Sequence, residues 1–123
     1  MKSRIAVASS DGIVVNQHFG RAKVFYILEA DTADKEQFEV VEVRRVDALC
    51  ECGNHDDAQL KKSIQNVIDC DYLLVSRIGY SAESEVEAAG IQVYELPGII
   101  SESVKRLLSY AEIQNLIGEL SGD

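Results

Sequence analysis

Phe38-Glu39-Val40-Val41-Glu42-Val43-Arg44-Arg45-Val46 partly alternates between apolar and polar residues, as a β-strand with one face on a core and one in water does. It follows Val24-Phe25-Tyr26-Ile27-Leu28, a β-branched and aromatic run, across the polar stretch Asp31 to Gln37, which reads as a turn. Upstream of both, Ile5-Ala6-Val7-Ala8 reads as a buried strand closed by Ser9-Ser10-Asp11-Gly12, a reversal in which Asp-Gly tolerates positive φ. Three strands therefore arrive in succession with no helix between them, and the third lies at an edge.

Downstream the period changes. Asp56 or Asn54 is placed to cap a helix in which Leu60, Ile64, Val67 and Ile68 form one apolar stripe. Tyr72-Leu73-Leu74-Val75 is a fourth strand. Ser81 is placed to cap a second helix, with Glu83 and Glu85 where the helix dipole favours anions, and Gly90 ends it in the left-handed conformation. Ile91-Gln92-Val93-Tyr94-Glu95-Leu96 is a fifth strand. Ser101 caps a third helix with Val104, Leu107, Leu108 and Ala111 as its stripe. The order β-β-β-α-β-α-β-α predicts an α/β fold with a single mixed five-stranded sheet, strand order 3-2-1-4-5, strand two antiparallel, and helices on both faces. Right-handed crossovers make this the compact solution, the arrangement of ribonuclease-H-like folds. Residues 1–123 read as one domain, with 118–123 a frayed tail.

Composition narrows the function. With 123 residues the chain buries roughly two-thirds of its unfolded surface and needs no metal or disulfide to fold. Its formal net charge of −9 repels phosphate backbones, which argues against a nucleic-acid partner. No apolar run approaches the ~20 residues of a membrane span. Met1-Lys2-Ser3-Arg4 leads straight into a strand without a signal-peptide pattern, and three cysteines are an odd number, so a reducing cytoplasm is expected.

The soft ligands cluster in two loops: Asn16-Gln17-His18-Phe19-Gly20, and Cys50-Glu51-Cys52-Gly53-Asn54-His55. The predicted topology sends both to one end of the sheet. There they join the turn after strand four (Arg77, Gly79, Tyr80, Ser81) and the turn after strand five (Pro97, Gly98), near the switch in strand order where open α/β sheets bind ligands. Thiolate and imidazole suit iron and zinc. Amides at the helix start Gly79-Tyr80-Ser81 suit anionic sulfides, Arg21, Lys23 and Arg77 offset negative charge, and Gly20 and Gly79 admit a bulky ligand. Cys50-x-Cys52-x-x-His55 offers one arm of a zinc site where a structural cage needs two, so partial or transient ligation fits it better. Cys70 reads as a core residue and Lys61-Lys62 as a solvated helix face.

Ser9-Ser10-Asp11-Gly12 followed by His18-Phe19-Gly20, and then Arg77-Ile78-Gly79-Tyr80, resemble the dinitrogenase iron–molybdenum cofactor biosynthesis proteins of the NifX type, also found as the C-terminal domain of NifB. The resemblance runs from the first strand to the third helix. It implies a ribonuclease-H-like domain that binds iron–sulfur, or molybdenum–iron–sulfur, cofactor precursors transiently and passes them between donor and acceptor assembly proteins. By resemblance His18 matches the histidine implicated in cluster binding. The expected cofactor-binding set is His18, Phe19, Gly20, Arg21, Arg77, Gly79, Tyr80 and Ser81, and the expected metal ligands are His18, Cys50, Cys52 and His55. No cluster is expected to stay tightly bound on isolation. A zinc- or iron-binding regulatory module using the same edge is the alternative. Catalysis is not expected: a two-metal nuclease needs carboxylates on its central strands, and Ile5-Ala6-Val7-Ala8 has none. No P-loop or Ser/His/Asp triad is present.

Overall fold

The computed structural model describes residues 2–31, 34–45 and 57–120, with side chains described over 2–31, 37–45 and 60–114. The chain runs β1 (Lys2–Ala8), β2 (Val14–Val15), a single 3-10 turn (Phe19–Arg21), β3 (Val24–Asp31), β4 (Asp34–Arg45), α1 (Asp57–Gln65), β5 (Tyr72–Val75), α2 (Tyr80–Ala88), β6 (Gln92–Glu95), β7 (Gly98–Ile99) and α3 (Ile100–Leu120). Five strands form one mixed sheet in the order β4-β3-β1-β5-β6. β1, β5 and β6 are parallel, and β3 is antiparallel to both of its neighbours.

The central strand is apolar without alternation because both of its faces are covered: Ile5, Ala6, Val7 and Ala8 are all fully buried. On one face Ala6, Ala8, Phe25, Ile27, Leu73 and Val75 meet Ile64, Val67, Val86 and Ile91, from the α1 and α2 segments. On the other, Ile5, Val7, Leu28 and Leu74 meet Ile100, Val104, Leu107, Leu108 and Ala111 of α3. Each fully buried aliphatic side chain contributes roughly 1.5–3 kcal/mol, so the α3 stripe alone binds that helix firmly to the sheet.

Several local expectations are corrected. β3 and β4 extend to Asp31 and from Asp34, so most of the polar stretch expected as a turn is strand. An edge strand needs no apolar residue on its wet side, and hydrophobicity therefore understates its length. β4 also bulges: the pairing steps from Ile27–Glu42 to Leu28–Val40, leaving Val41 extra. Helix α2 starts at Tyr80 with Gly79 as its N-cap residue, so Ser81 lies within the helix; α3 starts at Ile100, which likewise places Ser101 inside. α1 ends at Gln65, and Val67 reaches the core from the turns beyond it. A two-stranded sheet, β2 antiparallel to β7, was not anticipated. Gly90 does end α2 at φ 93°. The expected caps Asn54 and Asp56, and residues 121–123 of the expected tail, lie outside the described residues.

One polar clamp ties the edge strand down. Arg44 of β4 donates to both carboxylate oxygens of Asp69 at 2.7 Å, to the Asn66 carbonyl at 2.7 Å, and to Glu42 at 2.9 and 3.0 Å. The planar guanidinium suits this two-sided grip.

Candidate functional site

The chain leaves β1 through a turn that is closed on itself. The Ser9 hydroxyl, fully buried, donates to the Val14 carbonyl at 2.6 Å and accepts the Gly12 amide at 3.0 Å. The Asp11 carboxylate accepts the amides of Ile13 at 2.9 Å and Val14 at 3.1 Å, and these bonds hold its carboxyl below the usual range. Gly12 sits at φ 77°, and a Cβ there would lie 2.8 Å from the Tyr26 ring. Ser9-Ser10-Asp11-Gly12 is thus a structural reversal whose polar groups are spent within the stretch from Ser9 to Asn16.

Beyond that reversal the chain returns to the sheet. β1 ends at Ala8, and the following segment takes up its line: the Gln17 amide bonds the Ala8 carbonyl at 3.3 Å. Residues 17–19 then pair in parallel with the continuation of β5, through Ser76 N–H to Gln17 O at 3.1 Å and Phe19 N–H to Arg77 O at 3.0 Å, with His18 and Arg77 bridged. Phe19 anchors the loop: its ring is 3% exposed and lies 6.1 Å from Phe25, centroid to centroid. His18 itself is exposed.

Beyond this pairing opens a cleft of about 410 Å³, lined by His18, Phe19, Gly20, Arg77, Ile78 and Gly79. Among the described residues the lining contains an imidazole and a guanidinium and no carboxylate, in a chain of net charge −9. Neither lining glycine has a positive φ, and a Cβ at Gly20 or Gly79 would meet no atom within 4 Å. Among the described residues, neither a close contact at the Cβ position nor the backbone conformation calls for glycine at these two positions. The N-cap residue of α2 makes no side-chain bond, so the first-turn amides lack that acceptor.

The structure therefore joins His18, Gly20, Arg77 and Gly79 into one cleft. Arg21, Tyr80 and Ser81 adjoin it in sequence but are not among its lining residues. The β2–β7 pairing also brings the Gly98 turn to this end of the sheet. Cys50, Cys52 and His55 lie outside the described residues. Among the described residues no three His, Cys, Asp or Glu side chains form a group able to hold a metal ion. Cys70 is 5% exposed in the core, where burial pushes its thiol up to about 12. One residue at this end escaped the sequence reading: Glu95, whose carboxylate accepts the Ile78 amide at 3.0 Å.

Residues 1–110 match the family described as dinitrogenase iron-molybdenum cofactor. The chain belongs to that family. Among curated relatives, FeMo cofactor biosynthesis protein NifB of Frankia alni is 35% identical over 107 residues, 84% of this chain and 20% of that protein. The NifB of Azotobacter vinelandii is 39% identical over 92 residues, 72% of this chain and 18% of that protein. The iron-molybdenum cofactor domain seen here thus spans about one fifth of the length of the curated relatives it matches. Among solved structures, the crystal structure of PH0822 superposes with a TM-score of 0.61 at 25% identity, covering 86% of this chain and 88% of that one. The NMR structure of a Thermotoga protein assigned to NifB gives 0.53 at 26% identity, covering 85% and 86%. Among the described residues no helix is long and apolar enough to cross a membrane.

Proposed function

We propose that this domain serves iron–molybdenum cofactor biosynthesis by binding an iron–sulfur or molybdenum–iron–sulfur precursor in the His18–Gly79 cleft and carrying it, without turnover, between donor and acceptor assembly proteins. The single observation behind this reading is the joining of an exposed imidazole, a guanidinium and two glycines around one cleft whose described lining holds no carboxylate. Imidazole nitrogen is a good iron ligand, and His in place of Cys is an established variation on cluster ligation. Arg77 and the amides at the start of α2 suit an anionic, sulfide-rich cargo. An open cleft offering a single described imidazole favours exchange over permanent retention. Cys50, Cys52 and His55 belong to the proposal as accessory ligands. The ribonuclease-H-like reading of the topology belongs to it too, supported by the parallel β1–β5–β6 set flanked by antiparallel β3.

The test is anaerobic incubation of the protein with ferrous iron and sulfide, removal of excess reagent, and measurement of bound iron, sulfide and visible absorption. Wild type is expected to hold a brown chromophore that His18→Ala loses. A Cys50→Ala/Cys52→Ala/His55→Ala variant measures the accessory share. Equal retention by wild type and His18→Ala overturns the reading, as does stoichiometric colourless zinc in the protein as purified.

A further inference from the structure

The Arg77-Ile78-Gly79 wall of the cleft, bridged to His18, is held from two sides. β5 ends at Val75, in register with Glu95, the last residue of β6. One more ladder bond follows, Leu96 N–H to the Val75 carbonyl at 3.1 Å, before Pro97 turns the chain away. The continuation of β5 is secured on its other side, where Phe19 N–H reaches the Arg77 carbonyl. On the β6 side the Ile78 amide lies past the last backbone partner, and the Glu95 side chain supplies the acceptor: Oε2 takes the Ile78 N–H at 3.0 Å, across 17 residues of sequence. Glu95 does not line the cleft.

We propose that Glu95 is a positioning residue for the cleft: it fixes the Ile78 amide and, through it, the Arg77-Ile78-Gly79 wall, so that Arg77 stays paired beside His18. This rests on the cargo-binding reading of that cleft. A carboxylate beside a site for anionic cargo is disfavoured as a charge, so its place there is explained by reach and acceptor geometry. The two properties separate by substitution. Glu95→Gln keeps the reach and an acceptor oxygen and removes the charge. Glu95→Asp keeps the charge and shortens the reach by one methylene. Glu95→Ala removes both.

Amide hydrogen exchange followed by NMR on the cargo-free protein reads the bond directly, because an amide that loses its acceptor loses protection. Ile78 is expected to exchange roughly tenfold faster in Glu95→Ala and Glu95→Asp, a shift equivalent to about 1.4 kcal/mol, with Leu74 in the core unchanged. Glu95→Gln should match wild type. Retention of the iron–sulfide chromophore should fall in Glu95→Ala and Glu95→Asp and hold in Glu95→Gln. Unchanged Ile78 exchange in Glu95→Ala overturns the proposal. So does a pattern that follows charge, with Glu95→Asp like wild type and Glu95→Gln impaired. If His18→Ala loses the chromophore while Glu95→Ala keeps it despite faster Ile78 exchange, the positioning role fails and the cleft reading stands. If His18→Ala keeps it, both fail.

Discussion

Two short stretches within a dozen residues of each other use glycine for opposite reasons. Gly12 is demanded from inside: its φ of 77° and the Tyr26 ring 2.8 Å from a would-be Cβ leave room for no other residue without strain. At Gly20, and at Gly79 lining the same cleft, no described atom lies within 4 Å of a would-be Cβ and φ is not positive. Around Gly12 the polar groups of Ser9 and Asp11 bond to the turn itself. Around the cleft stand an imidazole and a guanidinium, and the adjoining helix start has no side-chain cap. A sequence motif can therefore hold a structural half and a ligand-facing half side by side. The glycine environments tell them apart.

The largest effect should come from breaking the structural half. Gly12→Ala forces a side chain into a left-handed position and against Tyr26, and should destabilise the fold by about 1–3 kcal/mol. Urea unfolding measures this, and the iron–sulfide chromophore of the folded fraction should match wild type. A Gly12→Ala protein as stable as its parent would break the distinction.

Acid should also strike the scaffold. The Arg44 guanidinium holds the Asp69 carboxyl well below the usual carboxylate range, and the Ile13 and Val14 amides do the same for Asp11. A carboxyl with a depressed folded-state pKa adds stability that is fully present above its unfolded value near 4 and is lost as pH falls through its folded value. Stability should therefore hold from neutral pH down to about 5 and decline below about 4. Asp69→Asn should flatten part of that decline, by about 1 kcal/mol once the solvent exposure of the pair is allowed for. Thermal midpoints across pH 3–7 in both proteins check it, and parallel curves would remove Asp69 from the account.

The mixed sheet was legible because its signals are periodic: apolar runs without alternation for the covered strands, alternation for the edge strand, and helical stripes between. The joining of His18 to Arg77 was legible as topology, since connections leaving the same ends of parallel strands share one end of a sheet. What escaped was aperiodic. β2 and β7 are two residues each, too short for any pattern. The polar start of β4 looks like a turn because an edge needs no apolar residue on its wet side. Glu95 reaches Ile78 through one side-chain bond that spacing does not encode. Ser81 and Ser101 are good capping residues standing one position inside their helices, where a residue preference gives no register.

That last misreading yields the smallest and most discriminating effect. Gly79 is the N-cap of α2, in an extended conformation that any residue adopts, and no side chain caps this helix end. Serine is a better N-cap than glycine by a few tenths of a kcal/mol, because its hydroxyl accepts a first-turn amide. With no atom within 4 Å of the Cβ position, Gly79→Ser should be accommodated and should raise stability slightly, by about 0.3–0.5 kcal/mol in urea unfolding. The same side chain would place two heavy atoms at a residue that lines the cleft. Chromophore retention should therefore fall while stability rises. Opposite signs from one substitution would show that the position trades a cap for an open cleft; a Gly79→Ser protein that gains stability and binds unchanged would show that the opening there serves no cargo.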